Sequence, residues 1–307
     1  MFLLASDNNK NDRLKKLAVV ASVSVALMLT AMKIGAALYT GSLSILSSLV
    51  DSVSDIFASL ITFVAVHFSL RPASLQHRYE YGKAEALSSL LQSAFVAGSG
   101  LFVVYEGINR FINPYRLTDI DMGLWVICAS IVLTLILVAF QNYVVKKTGS
   151  LAVSADSLHY VVDLATNGAI VVSLLMVKWF KINWFDTLAA IFISVYLLWN
   201  AYGLAKVAVY MLLDRELPED IRKKVYDIVN GFDFCAGIHD LRSHDLGGTY
   251  MFEFHLELDG NLSLYEAHDM TETVERAIKK EFPNSQVIIH QDPSGLEEDR
   301  LDNRLSK

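Results

Sequence analysis

Leu49-Val50-Asp51-Ser52-Val53-Ser54-Asp55 and, later in the same apolar region, His159-Tyr160-Val161-Val162-Asp163 decide how this chain is read. Each stretch carries two ligand-type side chains four residues apart, Asp51 with Asp55 and His159 with Asp163. Residues at that interval share one face of an α-helix, one turn above the other. Both stretches lie in segments long and apolar enough to cross a bilayer, where an ionisable side chain is costly unless it faces a partner or a wet cavity. If the two helices pack together, three carboxylates and one imidazole converge. That donor set suits tetrahedral coordination of Zn²⁺ or a similar divalent metal. The expected function is membrane transport of divalent metal ions.

The surrounding composition agrees. The 307 residues are 53% hydrophobic and the mean hydropathy is positive, which excludes an ordinary soluble protein of this size. Charge is unevenly divided. Residues 1–213 hold 15 Lys/Arg against 12 Asp/Glu, whereas residues 214–307 hold 11 against 21. The tail is therefore an acidic, soluble unit that concentrates cations and disfavours nucleic acid. With only two cysteines, Cys128 and Cys235, neither a disulfide framework nor a thiolate metal site is available. Any metal is held by oxygen and imidazole nitrogen. The N-terminus is polar for most of its first dozen residues and runs into a full-length span, so no cleavable signal peptide is expected.

Taking roughly 20 apolar residues per crossing, six spans are expected near 16–39, 43–69, 84–112, 121–147, 152–178 and 184–211. The two ligand pairs fall on the second and fifth. Lys10, Arg13, Lys15 and Lys16 before the first span, Arg71, Arg78 and Lys83 after the second, and Lys146 and Lys147 after the fourth outweigh Arg110, Arg116, Lys178 and Lys181 on the other side. This bias puts the N- and C-termini in the cytoplasm. Gly35, Gly98 and Gly100 are expected to allow close helix packing, and the remaining Leu, Ile, Val and Phe to face lipid.

From Asp214 the pattern changes. Pro218, Glu219 and Asp220 open a helix to about Asn230. Strand-like runs follow at Ile238 to Leu246 and Thr249 to Asp259, joined at Gly247-Gly248. In the second run Tyr250, Phe252, Phe254, Leu256 and Leu258 alternate with Met251, Glu253, His255, Glu257 and Asp259, one face for a core and one acidic. A helix from about Ser263 to Phe282 and a strand from Gln286 to His290 complete an α-β-β-α-β unit of ferredoxin-like or metallochaperone-like kind. The expected organisation is a transport domain over 1–213, a cytoplasmic domain over 214–292 and a disordered polar tail over 293–307.

The quoted stretches, with Ala155-Asp156-Ser157-Leu158 before His159 and Asn167-Gly168 after Asp163, resemble the cation diffusion facilitators, and within them the bacterial zinc and ferrous-iron efflux pumps. The likeness extends from the first span to Gln291-Asp292-Pro293. It implies that Asp51, Asp55, His159 and Asp163 bind the carried ion at mid-membrane, in a homodimer of the inner membrane that exchanges cytoplasmic metal for protons. Asp156, one turn before His159, is a candidate to orient its imidazole. The tail holds five of the eight histidines, a cluster better read as metal-binding than as solvated surface. The resemblance assigns His239, His255, His268, His290 and Asp292 to a two-metal site at a dimer interface, and leaves His244 as surface. It also matches Lys83 and Asp214 to an ion pair interlocking the dimer, and it places a further metal site in the loop after the second span. There this chain reads Ser74-Leu75-Gln76-His77-Arg78-Tyr79-Glu80-Tyr81, so only His77 stands in place.

Zn²⁺ is the expected cargo, with Fe²⁺ or Cd²⁺ as alternatives; the metal is substrate and regulator, and no cofactor is expected. An intramembrane metalloenzyme lacks support, since the chain carries no HExxH, nucleophile elbow or separate general base. A non-transporting membrane metal sensor working through its histidine-rich tail is the alternative, but a sensor has no need of costly ligands at mid-bilayer.

Overall fold

A computed structural model describes the backbone over residues 2–40, 43–112, 123–180, 185–296 and 300–305. Within the long helices it describes the side chains of residues 10–35, 52, 55–102, 104–105, 108–109, 128–165, 167–168, 172 and 191–212. Two units are distinguished, one of Met1–Pro72 with Ala84–Val209, the other of Ala73–Lys83 with Tyr210–Lys307.

The first unit contains six long helices, α1 (Phe2–Thr40), α2 (Leu43–Ser69), α3 (Ala84–Ile112), α4 (Gly123–Thr148), α5 (Leu151–Phe180) and α6 (Phe185–Leu212). Their bounds follow the expected spans within a few residues, apart from α1. That helix begins at Phe2 and not near residue 16, because no Gly or Pro interrupts residues 1–34 and a polar sequence without helix breakers continues the helix outward. Among the described residues three segments are long and apolar enough to cross a membrane, Lys10–Gly35, Cys128–Thr148 and Ile191–Leu212. Asp55–Ser69 is a shorter apolar helix by the same measure.

Large apolar side chains such as Leu27, Phe57, Leu135, Phe192 and Trp199 point outward, in numbers that water would penalise and lipid would not. Inside, Ala18 and Val19 of α1, Val66 of α2, Val144 of α4 and Ala152 and Val153 of α5 form one buried cluster. Small residues at this junction let the helix backbones approach. Of the expected packing glycines, a Cβ on Gly100 would come within 3.1 Å of Leu198 on α6, whereas Gly35 and Gly98 face open space. Of these three, Gly100 alone makes a close helix contact. Gly149, at φ +65°, makes the break between α4 and α5 that an L-residue adopts with difficulty.

The second unit is built as α7 (Glu219–Asn230), β1 (Gly237–Asp245), β2 (Tyr250–Leu258), α8 (Leu264–Glu281), β3 (Ser285–Pro293) and α9 (Leu301–Leu305). The sheet order is β1-β2-β3, with β1 antiparallel and β3 parallel to β2. Gly247 and Gly248, both at φ +100°, form the hairpin turn, and Asp245 Oδ1 accepts their backbone N–H groups. Ser263 and Glu266 form a reciprocal cap at the start of α8. One sheet face packs Phe252, Phe254 and Leu256 against Val225 and Val229 of α7 and Val274 and Ile278 of α8. Met251, assigned by alternation to the outer face, is also buried. Residues 300–305, expected to belong to a disordered tail, instead include a short helix held to β1: Asp240 and Asp302 exchange backbone-to-carboxylate hydrogen bonds, a long-range pairing that offsets the low hydrophobicity of the segment.

Candidate metal centres

Among the described residues two groups of side chains converge closely enough to hold an ion: Asp55 with His159 and Asp163, and His239 with His255 and Asp292. In each group the ligand atoms lie within 4.8 Å of one another.

The first group joins α2 to α5. His159 Nε2 is 3.1 Å from Asp55 Oδ1, and Asp163 follows His159 by one helical turn. All three are half-buried, so carboxylate oxygens and one ring nitrogen meet inside the helix bundle. Asp51, the fourth expected ligand, lies outside the residues whose side chains are described. On α1, Lys33 Nζ donates to Ser52 Oγ at 2.6 Å, placing a cation beside the residue that follows Asp51.

Asp156 serves a different purpose from the one expected. Its buried carboxylate accepts from Ser22 of α1 and Gln141 of α4, each at 2.6 Å, and from Thr62 of α2 at 3.4 Å. The oxygens are taken up by three other helices and not by the His159 ring. Ser59 and Tyr160 complete the network, their hydroxyls 2.8 Å apart, and Gln92 of α3 adds a bond to Thr62. A buried carboxyl hub bonded to neutral donors thus ties α1, α2, α4 and α5 together, one turn before His159 on α5. Ser59 and Thr62 share the α2 face of Asp55, at i+4 and i+7, but Ser22 and Gln141 stand singly on α1 and α4, and nothing in the sequence joins the three helices into one network. Nearby, buried Glu85 of α3 pairs with Lys15 at 2.9 Å and accepts from Ser69 at 3.1 Å and Ser150 at 2.5 Å.

The second group is made by sheet register. His239 of β1 stands opposite His255 of β2, and His255 opposite His290 of β3. One row across three strands therefore carries three imidazoles, with His239 stacked on His255 and His255 tilted against His290. Asp292, two residues beyond His290, returns to the same face. Its Oδ2 is 2.7 Å from His255 Nδ1 and 3.5 Å from His239 Nε2, and its Oδ1 is 3.2 Å from His290 Nε2. Asp292 is thus placed to bridge, as a carboxylate with two free lone-pair directions can. His239 and Asp292 are buried, while His290 is exposed. His268, on α8, is exposed and does not join the group.

Glu257, seen in the sequence only as an acidic strand position, brings Oε1 to 3.7 Å from His239 Nε2. The residue after His239, Asp240, sits at φ +53° in an irregularity of the β1–β2 pairing. Burial pushes the Asp240 carboxyl up, but the backbone N–H groups of Asp302 and Leu301, with the charges of His239 and His255, outweigh it and hold the group below the usual carboxylate range. Cys235, pushed by burial to about 11, stays a thiol at neutral pH and is an unsuitable ligand.

In the loop, His77 stacks on Tyr81 at 4.5 Å between centroids, and the Ser74 and Tyr81 hydroxyls are 3.0 Å apart. The loop is closed by an aromatic clasp, and His77 belongs to neither ligand group. Lys83 Nζ lies 2.5 Å from Asp214 Oδ1, with His244 Nε2 3.6 Å from the same oxygen. His244, read as plain surface, therefore shares the carboxylate of that pair. Gly82 seats this loop on the hairpin turn, since a Cβ there would meet the Leu246 carbonyl oxygen at 2.3 Å.

The family model of the cation efflux transmembrane domain matches residues 19–213, and that of the cation efflux protein cytoplasmic domain matches residues 217–294. The chain is 44% identical to the cation-efflux pump FieF of Pectobacterium atrosepticum over 281 residues, covering 92% of this chain and 93% of that protein. It is 45% identical to the FieF pump of Cronobacter sakazakii over 289 residues, covering 94% and 96%. Among solved structures, it is similar to the metal-bound C-terminal domain of the CzcD transporter from Thermotoga maritima, with 26% identity, a TM-score of 0.25 and coverage of 26% of this chain and 93% of that one. It is also similar to the cytosolic domain of a cation diffusion facilitator family protein, with 27% identity, a TM-score of 0.24 and coverage of 25% and 93%.

Proposed function

Because this chain belongs to the cation efflux family, a family of transporters and not of enzymes, we propose that it exports divalent metal ions across an inner membrane as a multi-pass protein. Zn²⁺ is the favoured cargo, with Fe²⁺ and Cd²⁺ as further substrates, and protons move in exchange. The observation that carries this reading is the convergence of Asp55, His159 and Asp163 from two helices of an apolar bundle. Two carboxylates and a neutral imidazole balance a dication, and the nitrogen favours zinc-like metals over alkaline earths. Asp51, one turn from Asp55, supplies the fourth donor.

The same chemistry couples the ion to protons. Carboxylate and imidazole bind metal only when deprotonated, so loading the site releases protons and protonation empties it. Asp156 acts as the structural pin beneath this exchange. It holds α1, α2, α4 and α5 at one level, so that α2 and α5 carry their ligands as a unit.

In this reading residues 1–213 form the transport domain, all six helices cross the membrane, and both termini are cytoplasmic. The domain over 214–292 dimerises and binds regulatory metal through His239, His255, His290 and Asp292. His268 and His290, exposed in one subunit, are the ligands a second copy reaches, and the Lys83–Asp214 pair locks the dimer. His77 contributes no site, given its clasp with Tyr81. The tail cluster also fits a non-transporting sensor, but the membrane ligands weigh against that reading.

The test is metal-driven flux in proteoliposomes, wild type beside Asp55→Ala, with Zn²⁺, Fe²⁺, Mn²⁺ and Cd²⁺ supplied in turn. Zn²⁺ flux that vanishes in the variant is expected. No flux of any metal in the wild type, with metal still bound by the tail, would favour the sensor.

A further inference from the structure

One pairing beside the tail centre has no part in the scheme above. Arg300 Nη2 donates to Glu257 Oε1 at 2.5 Å, and that oxygen is the one 3.7 Å from His239 Nε2. Glu257 is also the register partner of Asp292, so its carboxylate borders two ligands of the centre. The guanidinium is delivered there by the segment that follows it. Leu301 and Asp302 donate their backbone N–H groups to the Asp240 carboxylate at 2.8 and 2.9 Å, and Asp302 Oδ2 accepts the Asp240 N–H at 2.8 Å. The end of the chain is thus fastened at the residue after ligand His239 and reaches back to the carboxylate beside it.

The charges conflict once an ion is present. His239, His255 and Asp292 offer one negative charge to a dication. Glu257 is the adjacent anion, and Arg300 neutralises it. A divalent ion among the three ligands attracts Glu257 and repels the guanidinium.

We propose that Arg300 is a displaceable counter-ion arm: it and a divalent metal ion compete for Glu257, so the C-terminal segment sets the affinity of the tail centre and loosens its grip when the centre fills. This rests on the reading of the tail cluster as a metal site. The coupling is reciprocal, so whatever factor Arg300 takes from metal affinity, bound metal takes from the Arg300–Glu257 pair. The Asp240–Asp302 cap uses neither partner and remains as the tether that aims the arm.

The experiment is Zn²⁺ titration against a chelating dye on the full-length detergent-solubilised protein, with Asp55→Ala included throughout to silence the membrane centre. Arg300→Ala is expected to tighten the remaining site by about fivefold. Arg300→Gln, which keeps most of the side chain, does the same if Arg300→Ala folds poorly. Arg300→Lys retains the charge and the wild-type affinity. Glu257→Gln weakens binding and removes the effect of Arg300→Ala. Unchanged or weaker binding in Arg300→Ala and Arg300→Gln, with the tail site still occupied, overturns the arm alone. If His255→Ala leaves the amount of bound Zn²⁺ unchanged, the tail site itself is refuted and the arm with it.

Discussion

The membrane group and the tail group use nearly the same donors, yet they are assembled by opposite rules. Asp55, His159 and Asp163 sit on two helices, and α5 presents its two ligands through a local four-residue interval. His239, His255, His290 and Asp292 come from three strands, and only the register between strands lines them up. The membrane centre is surrounded by apolar helix faces and a buried hydrogen-bond hub. The tail centre lies on a sheet face where His239 and Asp292 are buried and His290 is exposed, with Arg300 at its edge. Paired ligands on rigid helices suit an ion that must be taken up and given away. A partly exposed cluster suits the proposed ion that joins subunits and reports its own concentration.

The largest expected effect separates these jobs. Asp163→Ala removes a proposed ligand and should lower Zn²⁺ transport by about 100-fold or more, since losing a partner outside the ligand shell already costs about 10- to 100-fold in comparable sites. His255→Ala should change the metal dependence of transport and weaken dimerisation while leaving the maximal rate within a few-fold. Equal losses in both variants, measured as initial rates in vesicles, would erase the distinction between the centres.

A second effect concerns the hub that only the membrane centre has. Asp156→Ala strips Ser22 and Gln141 of a buried acceptor. Ser22 keeps Ser59 at 2.9 Å, but leaving the Gln141 amide unpaired costs about 1–3 kcal/mol, so the thermal midpoint of the membrane unit should fall while tail metal binding is unchanged. Asp156→Asn keeps an acceptor and should lose less.

Metal removal sharpens the comparison from the other side. At a Zn²⁺ concentration 100 times its dissociation constant, a bound ion stabilises the folded state by about 2.7 kcal/mol. Chelation should therefore lower the unfolding midpoint of the tail in the wild type, and should have no such effect in His255→Ala.

The smallest effect is a pH dependence confined to the tail. Asp240 has a folded-state pKa below its ordinary value, with the N–H groups of Asp302 and Leu301 outweighing burial. Its contribution is complete above the unfolded value of about 3.9 and is lost as pH falls through the lower folded value. Amide exchange at Leu301 and Asp302 should accelerate, relative to its intrinsic rate, across that acidic window and no higher. Asp240→Asn should abolish the window.

What could be read in advance follows from the same contrast. That Asp55, His159 and Asp163 would face one another was legible because their spacing and the apolar surroundings need no knowledge of tertiary contacts. The alternation of Tyr250, Phe252, Phe254, Leu256 and Leu258, with the turn at Gly247-Gly248, likewise marked the strand and its core face. The row His239–His255–His290 depends on a hairpin register, an irregularity at Asp240 and a parallel crossover through α8, so only the family resemblance pointed to it. The Asp156 hub and the Arg300–Glu257 pair escaped for a further reason. Their partners lie on separate elements, and a polar segment such as residues 300–305 looks like solvated tail until Asp240 is seen to hold it. Met251 shows the same limit on a smaller scale, since alternation assigns it a face but not what covers that face.

The most direct test of the account is proton flux driven by Zn²⁺ in proteoliposomes containing wild-type protein, Asp55→Ala or His255→Ala, at matched protein density. The account predicts flux in the wild type, none in Asp55→Ala, and flux with an altered Zn²⁺ dependence in His255→Ala. Undiminished flux in Asp55→Ala would contradict it, because the ion would then cross without the ligand that joins α2 to α5.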